Sequence, residues 1–168
     1  MLSTKLKQIF ITLIMSLSMG LATNVFAGGS HDDSHGHEEF DPVDNEFGSY
    51  ESKMHVTRTI EIKMSDNMRF TPDNITVKKG DIVQFVHKNK GDLMHEFVLG
   101  TPESLDEHAE MMKKFSNMEH SEPYMAHVAP GKKGKITWKF DKAGTFSFGC
   151  LIPGHYDAGM KGTVTVEG

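Results

Sequence analysis

The sequence predicts an all-β sandwich of seven to eight short strands, interrupted by one helical insertion. Three observations predict it. Apolar and polar residues alternate in short runs from Val56 onward; Gly, Pro, Asn and Asp punctuate the runs; and one stretch alone, residues 101–130, breaks the rhythm. The first run is Val56 to Met64, where Ile60 and Ile62 interleave with Thr59, Glu61 and Lys63. A turn at Ser65-Asp66-Asn67 leads to Met68-Arg69-Phe70, which Pro72 and Asp73 end. Ile75 to Lys78 is a short strand, Lys79-Gly80-Asp81 turns the chain, and Ile82 to His87 runs back. Asn89 to Asp92 turns it again into a strand from His95 to Leu99.

In the insertion, Leu105, His108, Ala109, Met112 and Phe115 fall at helical spacing, and Ser104 with Glu107 has the form of a capping box. That predicts a helix over 103–116, with Met112 facing the core, followed by a loop through Pro130. Strands resume at Lys135 to Phe140 and at Thr145 to Cys150 beyond the Ala143-Gly144 turn; Gly162 to Val166 closes the sheet. With 168 residues, 38% of them hydrophobic, the chain has room for one such domain.

The N-terminus reads differently. Lys5 and Lys7 precede an apolar run from Ile9 to Leu21, and Val25-Phe26-Ala27 supplies small residues where a signal peptidase cuts. Residues 1–27 are thus expected to be a cleaved signal peptide, leaving a periplasmic protein with no segment that inserts in a membrane. Residues 28–53 carry eight acids against Lys53 alone, together with His31, His35 and His37, and are expected to form a disordered leader. The domain proper then spans 54–168. It holds 15 basic and 15 acidic side chains, a balance that gives no footing for a nucleic-acid partner.

Cysteine usage narrows the chemistry. A single cysteine in an exported chain forms no internal disulfide; it is either buried and inert or held as a thiolate by a metal. The residues after Cys150 favour the metal. Cys150, His155 and Met160 recur at intervals of five, with Pro153, Gly154 and Gly159 to bend the chain around one point. Thiolate and thioether donors select copper, and two imidazoles, one thiolate and a weak axial thioether make a type 1 copper site. Zinc also accepts two imidazoles and a thiolate, but not a thioether. The second imidazole must come from elsewhere. His95, directly after a loop, is preferred over His87, whose strand leaves its face open.

Gly91 to Phe97, the Pro130-Gly131-Lys132 turn and Gly144 through Val164 resemble the plastocyanin/azurin family. The five-residue ligand spacing is similar to its auracyanin-like branch, and the His-bearing leader, Met94-His95-Glu96-Phe97 and the helical insertion resemble the periplasmic copper-tolerance cupredoxins of bacteria. The resemblance implies a cupredoxin Greek-key β-sandwich with one copper ion held by His95, Cys150, His155 and Met160. It also implies that Glu96 stands where many members carry an Asn that ties the two ligand segments together.

His155, between Gly154 and Tyr156, is expected to show a ring edge to solvent, where a redox partner protein would dock. The leader histidines His31, His35 and His37 are expected to take additional copper weakly. The pairs Met118/His120 and Met125/His127 in the insertion are candidates for Cu(I). With nine methionines beyond the signal peptide and the His-bearing leader, the sequence favours copper tolerance over the alternative, a soluble electron shuttle between respiratory or photosynthetic complexes. An enzyme with several copper centres is not expected, because such centres use His-x-His pairs and the sole one here, His35-Gly36-His37, lies in the leader.

Overall fold

A computed structural model describes residues 40–116 and 120–168. Eleven strands and one helix are found among them: β1 (Val43–Asn45), β2 (Gly48–Tyr50), β3 (Arg58–Ser65), β4 (Arg69–Thr71), β5 (Asn74–Lys78), β6 (Ile82–Asn89), β7 (His95–Gly100), α1 (Pro102–Lys114), β8 (Met125–Val128), β9 (Lys133–Lys139), β10 (Gly144–Gly149) and β11 (Lys161–Glu167). They form two sheets, ordered β1-β2-β9-β6-β3-β4 and β5-β11-β10-β7-β8. The parallel pairs β3/β6 and β5/β11 sit among antiparallel ones, so the chain crosses between layers as a Greek-key sandwich requires.

Alternation does the sorting. In β6, Val83, Phe85, His87 and Asn89 point inward; in β5, Ile75 and Val77; in β9, Ile136 and Trp138; in β11, Val164 and Val166. β7 is buried at all six positions because it is covered twice. Phe97 and Leu99 face the sandwich interior, whereas Val98 packs with Leu105, Ala109 and Met112 of α1 on the outer side.

The structure corrects four expectations. The helix begins at Pro102, and its cap is Thr101, whose side chain accepts the Ser104 N–H at 3.1 Å while the Ser104 hydroxyl accepts the Thr101 N–H at 3.0 Å. Proline is well suited to the first helical position, which moves the start one turn ahead of the Ser104/Glu107 pattern. The loop expected through Pro130 contains β8, which pairs with β7 from His95↔Val128 to Val98↔Met125. The strand count exceeds eight because short strands of three or four residues join the sheet edges.

The fourth correction concerns the leader. Residues 43–50, which composition assigns to it, form the hairpin β1–β2 on the edge of the first sheet. Phe47 stacks on Trp138 with centroids 5.3 Å apart, and the Trp138 Nε1–H donates to the Phe47 carbonyl at 3.0 Å. Gly48 makes the approach possible: its φ is +130°, and a Cβ there would lie 2.3 Å from the Lys139 carbonyl oxygen. The acids Asp44 and Glu46 face outward, so average composition hid a buried aromatic. The expected signal peptide and residues 28–39, with His31, His35 and His37, lie outside the described residues.

Candidate metal centre

The register of the second sheet gathers the candidate donors at one end. β10 runs antiparallel to β7 with Gly149 opposite Val98, so the end of β10 meets the start of β7, where His95 stands. β10 also pairs with β11 up to Gly149↔Lys161, which leaves residues 150–160 as a loop capping that end. Left-handed conformations at Gly154 (φ +88°) and Gly159 (φ +95°) turn this loop. The Cys150 N–H donates to the Met160 carbonyl at 3.0 Å, and the Met160 N–H donates to the His155 carbonyl at 3.1 Å. Tyr156, itself buried, donates its hydroxyl proton to Asp106 at 2.9 Å and ties the loop to α1.

The ligating atoms of His95, Cys150 and His155 all lie within 4.8 Å of one another. Cys150 Sγ is 3.3 Å from His155 Nδ1, and the His95 and His155 rings are 5.2 Å apart at 57°. Cys150 and His95 are fully buried; His155 is partly exposed. Met160 is also fully buried, and its backbone bonds hold it against both Cys150 and His155. His87 is not among the gathered donors. It lies inside the sandwich, 4.3 Å from Phe97 and stacked beside Phe85, and burial pushes its pKa down to about 3.

Two side chains support the cluster. Asp66 Oδ1 is 3.0 Å from His95 Nε2, and its carboxylate also accepts the Asp92 N–H at 2.7 Å. The Asp92 N–H, and then the His95 ring, hold Asp66 below the usual carboxylate range. With Nε2 turned to Asp66, His95 presents Nδ1 inward, and that buried atom has no hydrogen-bond partner among the described residues. A carboxylate on the far nitrogen fixes the tautomer a metal-binding imidazole needs. Gly91 makes room, since a Cβ there would collide with the Asp66 carboxylate at 1.8 Å.

Glu96 takes over the linking role expected of the Asn it replaces. Its backbone N–H donates to Cys150 Sγ at 3.3 Å, and its Oε2 accepts the Leu151 N–H at 3.2 Å, so it joins the two ligand segments. Its other oxygen, Oε1, lies 2.9 Å from His127 Nε2.

Asp66 carried no sequence signal. It sits in the turn after β3, and only the parallel β3/β6 register, with Met64 opposite Asn89, brings that turn beside the loop leading to His95. Asn89 then holds this loop, donating to the Leu93 and Val128 carbonyls and accepting the Gly91 N–H.

The donor set tests whether a copper ion suits these residues. Burial pushes the Cys150 thiol up to about 12, so the sulfur keeps its proton unless a cation takes its place. Burial, then the neighbouring His95, lowers the His155 pKa, which favours the uncharged ring a metal needs. Two imidazoles, one with an orphaned buried nitrogen, converge on a thiol that needs a cation. The residues fit.

Residues 56–167 match the family described as copper binding proteins, plastocyanin/azurin family. The chain belongs to that family. Among its relatives, the copper-resistant cuproprotein CopI of Rubrivivax gelatinosus is 45% identical over 140 residues, covering 83% of this chain and 82% of that protein. The copper-resistant cuproprotein CopI of Pseudomonas aeruginosa is 35% identical over 150 residues, covering 72% and 82%. Among solved structures, the dithionite-reduced auracyanin of Roseiflexus castenholzii superposes with a TM-score of 0.59 at 24% identity, covering 68% of this chain and 100% of that one. That likeness shows the fold, and the family supplies the metal: this cupredoxin binds copper.

Of the candidates in the insertion, Met125 is buried against α1, and His127 turns to Glu96. Met118 lies outside the described residues.

Proposed function

We propose that this chain is an exported, redox-active type 1 copper protein of the periplasm that contributes to copper tolerance, with His95 Nδ1, Cys150 Sγ, His155 Nδ1 and the Met160 thioether as its ligands. The observation that carries the reading is the convergence of the first three donor atoms within 4.8 Å on a buried site whose fourth candidate shares the same loop. When bound, the copper supplies one-electron exchange. The chain supplies the rest. Asp66 holds the Nε2 proton of His95, Glu96 locks Leu151 next to Cys150, and Tyr156 anchors the loop on α1, so three donors stand ready in one geometry. Full burial of Cys150 and Met160 keeps water from the sulfur atoms, and the exposed side of His155 remains open to solvent.

Tolerance is favoured by the relatives, whose names describe copper-resistant cuproproteins. A second reading, a soluble electron shuttle, draws support from Leu93 and Met94. They are 46% and 45% exposed immediately before His95, an apolar surface on which a redox partner would dock.

The experiment has two parts. Purified protein loaded with Cu(II) is expected to show a strong visible absorption band that Cys150→Ala abolishes together with stoichiometric copper at this site. A band that survives the substitution would remove the ligand assignment. A deletion strain is expected to stop growing only as copper rises; a respiratory defect without added copper would favour the shuttle instead.

A further inference from the structure

A second pair of histidines lies away from the Cys150 centre. His108 projects from α1, and His120 comes from the segment after it; their rings are 4.8 Å apart at 42°. The His95 and His155 rings stand 5.2 Å apart at 57°. Two imidazoles are thus set at nearly the same separation in both places. Both rings of the second pair line a cavity of about 340 Å³ whose wall includes Phe47, Leu105, Met111 and Tyr124.

Three observations point to a ligand. His120 Nδ1 is buried and has no hydrogen-bond partner among the described residues, a costly state for a polar atom unless a ligand satisfies it. Met111, three residues after His108 and so on the same face of α1, lines the cavity with a 46% exposed side chain. A thioether that shares one cavity with two imidazoles offers a soft donor set, and soft sulfur selects Cu(I). Burial, then the neighbouring His120, lowers the His108 pKa, which favours the uncharged ring that metal binding requires.

We propose that His108 and His120 bind a second copper ion as Cu(I), with Met111 as the third donor. The site uses no residue of the Cys150 centre and stands or falls separately from it. It also regroups the insertion: His120 pairs across space with His108 of the preceding helix.

The test is an anaerobic titration of the metal-free protein with Cu(I) against a chromophoric Cu(I) chelator. Wild type is compared with the double variant His108→Gln/His120→Gln and with Met111→Leu. The double variant is expected to bind one equivalent fewer, Met111→Leu to hold that equivalent more weakly, and Cys150→Ala to retain it. The visible band of the Cu(II)-loaded Cys150 centre, unchanged in the double variant, reports that the fold is intact. Equal Cu(I) stoichiometry in wild type and the double variant overturns the proposal, as does an extra equivalent taken by Zn(II) and refused by Cu(I). Should the double variant lose the band, wild-type crystals soaked with Ag(I) decide: an anomalous peak between the two rings supports the site, and none there overturns it.

Discussion

The two faces of β7 serve different ends with adjacent residues. His95, Phe97 and Leu99 look into the sandwich, where the candidate copper donors converge; Glu96 and Val98 look outward, Val98 onto α1 and Glu96 toward His127 of the neighbouring strand β8. The inner face presents a donor, and the outer face fixes the segment that carries the opposing donor, through the Glu96 bond to Leu151. A strand buried on both sides can do this because its neighbours along the chain never share an environment. The lesson is that the outer face governs how firmly the site is held, and the inner face governs what the site is.

Substitutions can separate the two. The largest effect is expected inside. Burial holds the His87 pKa near 3, against about 6.5 in an unfolded chain, so the unfolded state binds the extra proton between those values. Stability should therefore fall with falling pH from about 6.5 to 3, by about 1.4 kcal/mol per unit. Denaturant melts at pH 7 and pH 5 are expected to show this slope in wild type and a clearly smaller one in His87→Phe, where only His108 and His155, whose pKa values are also lowered, still contribute. An unchanged slope in the variant would place the acid sensitivity elsewhere.

Next comes the outer face. Glu96→Ala strands the buried Leu151 N–H and is expected to cost about 2 kcal/mol, whereas Glu96→Gln keeps an acceptor there and should lose less than half of that in the same melts. Asp66→Ala frees the His95 ring and is expected to weaken copper binding about 10-fold or more in a chelator competition, with little change in the melt of the metal-free protein. The smallest effect lies farthest from the donors. Thr101→Ala removes the α1 cap and should cost about 1 kcal/mol while leaving the visible band in place. A band shifted by that substitution would mean that α1 controls the site more directly than its position on the outer face implies.

The sequence carried the local half of this arrangement. Alternation located most core strands, and the five-residue spacing of Cys150, His155 and Met160 marked the loop because all three donors lie in one segment. What it could not carry were contacts set by register. Asp66 reaches His95 only because β3 and β6 run in parallel, and His120 meets His108 only because the chain folds back along α1. Glu96 was visible as a departure from a family pattern, but its hydrogen bond to Leu151 depends on how β7 lies beside β10. The hairpin at residues 43–50 was hidden for another reason: one buried phenylalanine among acids does not alter composition, though it decides where the segment goes.

That phenylalanine has a practical consequence. The chain contains a single tryptophan, and it is the fully buried Trp138 on which Phe47 lies. Its fluorescence is therefore a built-in gauge of whether the hairpin is seated: blue-shifted emission while the indole is sealed, moving to the red when the edge peels away, in unlabelled protein.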